Sequence, residues 1–486
     1  MGDRNGQQIE VEATRKDKFE TKGSALMETT QSKERNNPIA KMGNVLLQFS
    51  MKYMPDASIF AIILTFLTFL AGILFTDQGP KEMLLNWYQG FWELLAFAMQ
   101  MTLIVVTGSA VAGSPPVKRI IKRIAAIPQN GRQAVWLVTT VSIAVSFVHW
   151  GLSLIVGALL AKEVARCLWQ RQIPFEYGLL AAGGYVGQMT WQGLLSSSIG
   201  LSIASPGHIL EGEMGVIPMA AYMGNGMNLF VTVALLLLPP VFAMLMHPSG
   251  SNVSPLDMEA IQKISEVERP VAGRPENPTV GERLNFSPFL SGAIGLMGAI
   301  YIIYAFVTKG MSALDINFVN FIFFILGILL HGNIANYIRA VADAVSGATG
   351  IIFQFPLYAG IQGMIKYSGL VTILSSAIVS ISSPATFYFW TLLSAGIINM
   401  FVPSGGGQWT VQGPIAIASA KMMGADVIKT SLMVGYGNTW TNMCQPFWAI
   451  ALLGITGLKA KDIMGYSTAI MFCGGLIFII ASFLPV

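Results

Sequence analysis

Residues 403 to 409 read PSGGGQW, a run of three glycines inside an otherwise apolar part of the chain. Glycines that precede a helix aim backbone N–H groups along the positive end of the helix dipole, which favours an anion. We interpret this stretch as a set of neutral donors to one carboxylate, with a tryptophan as an apolar wall beside it. The alternative is that the glycines only let helices pack closely. The residues of this group are Ser404, Gly405, Gly406, Gly407, Gln408, Trp409 and Gln412.

A second group of polar residues lies in two glycine-rich helices, GGYVGQMTWQG (183 to 193) and GYGNTWTNMCQP (435 to 446), and in the helix break WQGLLSSS (191 to 198). Irregular backbone survives in a bilayer only where it lines a cavity or binds something, and breaks in corresponding places of two inverted halves indicate a transport site. The alternative is that these amides simply bond across helices. The residues are Thr190, Trp191, Gln192, Ser196, Asn438, Thr439, Asn442 and Gln445.

Two titratable residues within apolar segments are candidates for coupling transport to an ion, because burying a charge in a membrane is costly and is usually functional. His149 is the histidine that lies mid-chain in an apolar region, and Glu93 lies in WYQGFWELLAFAMQM. Glu93 can also reach the membrane surface instead, as long side chains near the interface do.

These groups must be positioned by a membrane protein, because the chain is 53% hydrophobic and only 11% charged. Uncharged stretches of about twenty residues match the ~30 Å thickness of the hydrocarbon core. We therefore predict an all-α polytopic fold. The predicted apolar segments are 57–75, 87–112, 133–149, 151–165, 177–205, 224–246, 288–307, 317–331, 345–366, 385–402, 408–420, 430–455 and 466–485.

Charge divides the chain into four parts. Residues 1–52 hold 16 charged side chains and are predicted to be a disordered cytoplasmic tail, whereas residues 248–287 hold 10 and form a cytoplasmic linker. The first transmembrane repeat then covers 53–247, and the connecting helix with the second repeat covers 288–486. The basic segment PPVKRIIKRIAAI (115 to 127) is too short to cross and lies at the cytoplasmic surface by the positive-inside rule.

A repeat is visible in this pattern. Each half has a pair ending in Trp (His149 with Trp150, Gln408 with Trp409), followed after eleven residues by a lysine and later by a Thr-Trp pair. The extra helix at 288 to 307 inverts the second half. The predicted architecture is thus two inverted-topology repeats with broken helices or re-entrant hairpins.

Other classes of protein are disfavoured. The three cysteines have no metal-ligand spacing, and no HExxH or GxSxG motif is present, so we expect no enzyme, metal site or other cofactor. Nucleic acid is not an expected partner, because the chain has no basic domain with interleaved aromatic residues. An anion channel would show a continuous polar stripe along several helices, whereas the polar residues here gather at the breaks.

The motifs FVPSGGGQWTVQGP (401 to 414), YGNTWTNMCQPFWA (436 to 449) and KDIMGY (461 to 466) resemble the bacterial short-chain fatty acid transporter family, from about Asn44 to the C-terminus. The resemblance implies uptake of acetoacetate- or butyrate-like acids, hairpin or broken-helix tips at Ser404 to Gly407 and Thr190 to Ser198, and often elevator motion. Relatives have Asn where this chain has His149.

We therefore expect a secondary transporter of small monocarboxylates in the bacterial cytoplasmic membrane, with a cytoplasmic N-terminus and a possible homo-oligomeric state. Import of an anion against a negative-inside potential needs a cation, and we expect a proton rather than Na⁺. The alternatives are a sodium-coupled transporter of di- or tricarboxylates and, less favoured, an anion channel.

Overall fold

The computed structural model of the protein describes residues 38–53, 57–204, 206–208, 210–248, 253–254, 256, 261, 264, 278–313, 316–403 and 405–485. Most of the predicted tail, residues 1–37, and much of the predicted linker lie outside the described residues.

All regular elements in the described ranges are helices, so the predicted all-α class is confirmed. The first half contains α1 (Pro38–Tyr53), α2 (Ala57–Phe75), α3 (Pro80–Phe91), α4 (Leu95–Gly113), α5 (Pro115–Ala125), α6 (Gly131–Val148), α7 (Trp150–Gln170), α8 (Tyr177–Tyr185), α9 (Gly187–Thr190), α10 (Ser198–Ile203), α11 (Glu211–Met214), α12 (Met219–Gly224) and α13 (Gly226–Met246). The second half contains α14 (Val280–Asn285), α15 (Pro288–Lys309), α16 (Ile316–His331), α17 (Ile334–Ala344), α18 (Thr349–Ser368), α19 (Leu370–Ser380), α20 (Phe387–Asn399), α21 (Gly405–Met422), α22 (Val427–Trp440), α23 (Ile450–Thr456) and α24 (Ala460–Phe483). Short 3₁₀ turns occur at Trp191–Gly193, Gly310–Ala313, Val345–Ala348 and Thr441–Cys444.

Helix α1 corrects the extent of the predicted disordered tail. The prediction is wrong for residues 38–52, which are helical. The charge-rich composition ends at Arg35, and Lys41 is the one charged residue between positions 38 and 51. This helix packs on the end of the first half and on α24, because a Cβ added at Gly43 would lie 3.2 Å from Met246 Sδ and 3.5 Å from Tyr466 Cδ1.

Several helices have the length and composition of membrane spans. In the described part of the chain, four helices are long and apolar enough to cross: Gly131–Val148, Gly226–Met246, Val280–Lys309 and Ala460–Phe483. Shorter apolar helices and bent pairs account for much of the remaining predicted segments. Side chains such as Phe289 and Val307 on α15 are 79% exposed, as expected for a surface that faces lipid.

The predicted span at 87–112 is interrupted, and the one at 345–366 begins at a bend. Residues 80–113 form α3 and α4 with an interruption at Trp92 to Leu94, and α17 meets α18 at 57° across the turn Val345–Ala348. One straight helix over 80–113 would be about 50 Å long, well beyond the ~30 Å hydrocarbon core. Helices α3 and α18 pack together closely, since a Cβ at Gly90 would lie 2.5 Å from Gly363 Cα.

Candidate functional site

Two helical hairpins carry the residues that were singled out in the sequence. In the first, α6 and α7 begin and end at the same side, because the Arg171 guanidinium at the end of α7 donates to Pro128 O, just before α6, at 2.8 Å. In the second, the Asp426 N–H after α21 donates to the Tyr388 hydroxyl at the start of α20 at 2.8 Å. Helices α7 and α21 therefore run antiparallel to α6 and α20, respectively.

The tip of the first hairpin is the His149–Trp150 pair. His149 caps α7: its Nδ1 accepts the backbone N–H groups of Gly151 (3.1 Å) and Leu152 (3.3 Å). A nitrogen that accepts two N–H groups carries no proton. The backbone N–H of Trp150 in turn donates to the Ser196 hydroxyl at 2.7 Å, so the tip is joined to the broken segment that follows α9.

The first broken helix, formed by α8, α9 and α10, is held at its interruption by side chains. The Thr190 and Ser146 hydroxyls lie 2.6 Å apart. Beyond them the Ser197 hydroxyl donates to Gln192 Oε1 at 2.8 Å, and the Asn228 amide of α13 donates to Gly193 O at 2.7 Å. These contacts fix an irregular backbone whose own groups have left the helical ladder.

The second hairpin tip lies directly against this broken helix. A Cβ added at Gly405 would lie 2.4 Å from Ser198 Oγ, 2.7 Å from Gln192 Nε2 and 3.0 Å from the Trp191 ring. Only a glycine fits there without displacing a neighbour. The two glycine-rich breaks, more than 200 residues apart in sequence, therefore meet.

Behind this contact, buried side-chain amides form a network centred on Asn399, at the end of α20. Its Nδ2 donates to Thr441 Oγ1 at 3.0 Å and to Asn442 Oδ1 at 2.9 Å, while its Oδ1 accepts from Asn438 at 2.9 Å. Its backbone carbonyl also accepts from Gln445, at 3.3 Å. Asn399 is completely buried, so it joins α20 to the interruption after α22.

Gln408 is part of the same network. Its Nε2 donates to Ala395 O at 2.9 Å and to Gln412 Oε1 at 2.7 Å, and its Oε1 accepts from Asn438 at 2.8 Å. Gln412 then donates to the Ser394 hydroxyl at 2.9 Å. Both N–H protons of Gln408 are used inside the protein, so its amide positions the hairpin and has no donor to spare for a carboxylate.

The two halves complete each other at this site. The Asn442 amide donates to Gln188 O at 3.0 Å, and the Tyr185 hydroxyl donates to Asn442 O at 2.8 Å. The Tyr436 hydroxyl of α22 also donates to Asn228 Oδ1 on α13.

Four polar atoms at the site are buried without a hydrogen-bond partner in the described residues. They are the indole N–H groups of Trp191 and Trp409 and the amide oxygens of Gln188 and Gln445. Each of these residues is at most 3% exposed. A buried polar atom left unpaired costs about 1–3 kcal/mol, so these four atoms are suited to a ligand that offers both acceptors and a cation or donor.

An aromatic wall borders the site. The Trp150 ring lies 6.0 Å from that of Trp191 and 5.1 Å from that of Trp448, which is the Trp of the QPFWA motif. This wall is apolar except for its indole nitrogens, and it can contact a short acyl chain.

The remaining predicted residues lie as follows. Glu93 sits in the interruption between α3 and α4, where Lys366 Nζ is 3.1 Å from Oε1 and the Tyr367 hydroxyl also donates to it. It is thus paired within the bent helices rather than brought to the two tips. The Thr439 hydroxyl bonds to Gly435 O of its own helix at 3.1 Å. Ser404 lies outside the described residues. Gly406 is exposed, with nothing within 4 Å of an added Cβ, and Gly407 is half-buried.

Residues at the site that the sequence reasoning did not single out include Gln188, Asn228 and Asn399. Gln188 lies three residues before the WQGLLSSS break, and this proximity was the available signal. Asn228 and Asn399 lie in mainly apolar helices, and no local pattern distinguishes them.

Two contacts outside the spans involve titratable groups. Lys421, at the end of α21, lies 2.7 Å from Glu213 of the segment between α10 and α13, and this hydrogen bond lowers the pKa of the Glu213 carboxyl. In the second contact, His247 Nε2 accepts the Glu176 backbone N–H at 3.3 Å, and burial lowers the pKa of His247. Burial also raises the pKa of the Glu176 carboxyl, which accepts the Ser254 N–H at 2.8 Å.

Metal-ligating side chains do not gather anywhere in the described ranges: no group of three or more His, Cys, Asp or Glu could hold a metal ion there. An alkali cation would need oxygen ligands instead, of the kind that amide and backbone carbonyl oxygens at the breaks offer.

Comparison with known proteins gives a consistent result. The family described as short chain fatty acid transporter matches residues 38–484. A protein of Escherichia coli K12, provisionally named as a short-chain fatty acid transporter, is 39% identical over 443 residues, covering 91% of this chain and 99% of its own. One of the same provisional name from Haemophilus influenzae is 38% identical over 449 residues, with the same coverage of 91% and 99%.

Two solved structures align with most of this chain, but their TM-scores and sequence identities are low. The YdaH transporter of Alcanivorax borkumensis has a TM-score of 0.37 and 14% identity, over 88% of this chain and 97% of that one. The MtrF antimetabolite efflux pump of Neisseria gonorrhoeae has a TM-score of 0.36 and 13% identity, over 89% and 96%. Scores this low support no argument about shared geometry.

Proposed function

The chain belongs to the short-chain fatty acid transporter family, and from this premise we propose that it carries small monocarboxylates of the butyrate and acetoacetate type across the bacterial cytoplasmic membrane by cation symport. The family match confirms the resemblance seen in the motifs. Because the relatives are named as transporters, the expectation that the chain is not an enzyme also holds.

The substrate carboxylate binds, in this proposal, beside the contact between the second hairpin tip and the first broken helix, at the Trp191 indole N–H. The observation that carries it is the contact of Gly405 with Trp191, Gln192 and Ser198. The first turn of α21 brings the positive end of a helix dipole there, and the buried Trp191 indole N–H lacks an acceptor in the described residues. A negatively charged acceptor would be stabilised by the helix dipole and would also accept the hydrogen bond of the Trp191 indole N–H.

The acyl chain lies against the wall formed by Trp150, Trp191 and Trp448. Every residue named at this meeting point is uncharged, so one carboxylate is matched by neutral donors and a dipole. A second carboxylate would be poorly compensated in a low-dielectric site. This favours a monocarboxylate over the di- or tricarboxylate alternative.

The proposed coupling ion rests on the contacts that His149 and Glu93 make. A proton on His149 Nδ1 would remove the cap of α7, and Glu93 is neutralised by Lys366. The unpaired Gln188 and Gln445 oxygens instead suit a cation with oxygen ligands. These contacts favour Na⁺ over the proton that the sequence suggested.

Transport proceeds by alternating access of two inverted halves. The shared order of elements supports this: each half has a hairpin whose tip precedes Trp150 or Gly405, then a helix that ends in a 3₁₀ turn, at Trp191–Gly193 or Thr441–Cys444. The contact between Lys421 and Glu213 joins the second hairpin to α11 of the first half, so the distance between these residues should change when the halves move.

The test is uptake of labelled butyrate into proteoliposomes, with an inward Na⁺ gradient at fixed pH or a pH gradient without Na⁺. We expect saturable, Na⁺-dependent accumulation, with weak competition by succinate or citrate. Trp191→Phe keeps an aromatic ring but removes the indole N–H together with the five-membered ring, so it should raise KM; Trp136→Phe, at a 43% exposed position on α6, is the matched control. Flux without saturation would indicate a channel, and stronger competition by succinate or citrate would favour the di- or tricarboxylate alternative.

A further inference from the structure

Helix α5 presents a mixed basic and apolar face that the transport proposal does not use. Arg119, Ile120, Arg123 and Ile127 are all exposed, with Ile120 at 56% and Ile127 at 61%. At 100° per residue Arg119, Ile120 and Arg123 fall within about 100° of each other around the axis of α5, and Ile127 lies two residues beyond its end. Two arginines and one isoleucine thus share one face of the helix, and a second exposed isoleucine follows it.

The opposite side of α5 is anchored in the protein. Ala125 is completely buried, and Ile121 and Ile124 pack against the core. The chain just after the helix is held by Arg171 at the end of α7, which donates to Pro128 O and, from its other nitrogen, to Gln129 Oε1 at 2.8 Å. The exposed face is therefore fixed in orientation and is attached to the base of the first hairpin.

The stretch of sequence that contains this face carries charges of one sign. No Asp or Glu occurs between Glu93 and Glu163, whereas Lys118, Arg119, Lys122, Arg123 and Arg132 lie within that interval. A soluble anion would be attracted to the arginines but would leave the two exposed isoleucines in water. An anionic phospholipid matches both, with phosphate at the guanidinium groups and acyl chains at the isoleucines.

We propose that the exposed face of α5 binds anionic phospholipid headgroups, with Arg119 and Arg123 donating to phosphate and Ile120 and Ile127 inserted at the acyl boundary. Each basic residue close to an anionic leaflet contributes about 1 kcal/mol. The corresponding short helix of the second half, α19, reads LVTILSSAIVS and has no charged residue. The bound lipid therefore belongs to one hairpin and to one side of the membrane.

The experiment measures retention of phosphatidylglycerol or phosphatidylcholine by the purified full chain in detergent, by native mass spectrometry across a lipid titration. We expect phosphatidylglycerol to bind more tightly, and Arg119→Gln with Arg123→Gln to weaken that binding by roughly 10- to 30-fold. Arg283→Gln with Arg339→Gln, which removes two other exposed arginines, should leave it unchanged. The charge-preserving pair Arg119→Lys with Arg123→Lys should keep most of the binding, which separates lost charge from a damaged fold.

The proposal is overturned if the wild-type chain binds both lipids equally, if the Gln pair binds phosphatidylglycerol as tightly as wild type, or if the Lys pair is as weak as the Gln pair. It is also overturned if millimolar inorganic phosphate displaces the lipid, since the site would then recognise a free anion. Butyrate transport does not enter this measurement, so its outcome is independent of the proposed function.

Discussion

Substitution of Gly405 by Ala tests the meeting of the two breaks. The added Cβ would lie 2.4 Å from Ser198 Oγ, whereas ordinary van der Waals contact begins near 3.4 Å, so either the neighbouring side chains or the hairpin tip must move by about 1 Å. Overpacking of this kind costs roughly 1–3 kcal/mol. A 1 Å displacement of binding groups can lower a rate by about 100-fold. We expect butyrate uptake to fall by at least about 30-fold with the protein still present in the membrane.

Gly406→Ala is the matched control, because nothing lies within 4 Å of its added Cβ. Uptake by this variant should stay within about two-fold of wild type. Combining Gly405→Ala with Ser198→Ala removes the nearest atom and should restore part of the activity. The assay is initial uptake into proteoliposomes, normalised to protein in the membrane. Equal losses at Gly405 and Gly406, or normal uptake by Gly405→Ala, would refute the contact as the site.

Three further predictions concern contacts away from that glycine. Asn399→Ala leaves several buried groups unpaired, so we expect the free energy of unfolding to fall by about 2 kcal/mol, seen as a lower Tm, and uptake to fall below a tenth of wild type. An unchanged Tm would contradict the network. Glu213→Cys and Lys421→Cys are introduced together in a background without the native cysteines. A long bifunctional thiol reagent that bridges them should stop uptake until the bridge is cleaved. The folded pKa of His247 lies below its ordinary 6.5, so the neutral ring favours the fold and its contribution is lost as pH falls below about 6.5. Thermal denaturation at pH 8 and 5.5 should therefore show a smaller drop in Tm for His247→Gln than for wild type.

Much of the fold and the outline of the site follow from composition and local pattern. Apolar length identified the helices, and the glycine run at 405–407 and the WQGLLSSS stretch at 191–198 identified the interruptions, because breaks leave a local signature. The density of amides between Asn438 and Gln445 favoured a polar cavity; Asn438, Asn442 and Gln445 are buried and hydrogen-bonded across helices, and the cavity itself stays a prediction.

The parts that could not be predicted depend on distant partners. Gln408 was expected to face a ligand, but its protons are taken by Ala395 O and Gln412, and only tertiary contacts decide this. His149 was singled out as a coupling candidate; in the structure it caps α7 in the way that Asn would, since both side chains accept at a helix N-terminus. Asn399 could not be identified because it lies at the end of a mainly apolar helix and its partners are distant in sequence.

The hydrogen bond from Asn442 to Gln188 O, with that from Tyr436 to Asn228, has a consequence for biosynthesis. Each half leaves buried amides whose partners are in the other half, so a chain that stops before α20 inserts into the bilayer with an incomplete polar core. Such a nascent or truncated chain is a substrate for membrane quality control, whereas two halves produced as separate polypeptides can supply each other's missing partners. Cleavage in the linker between them should therefore be tolerated, and loss of either half should not.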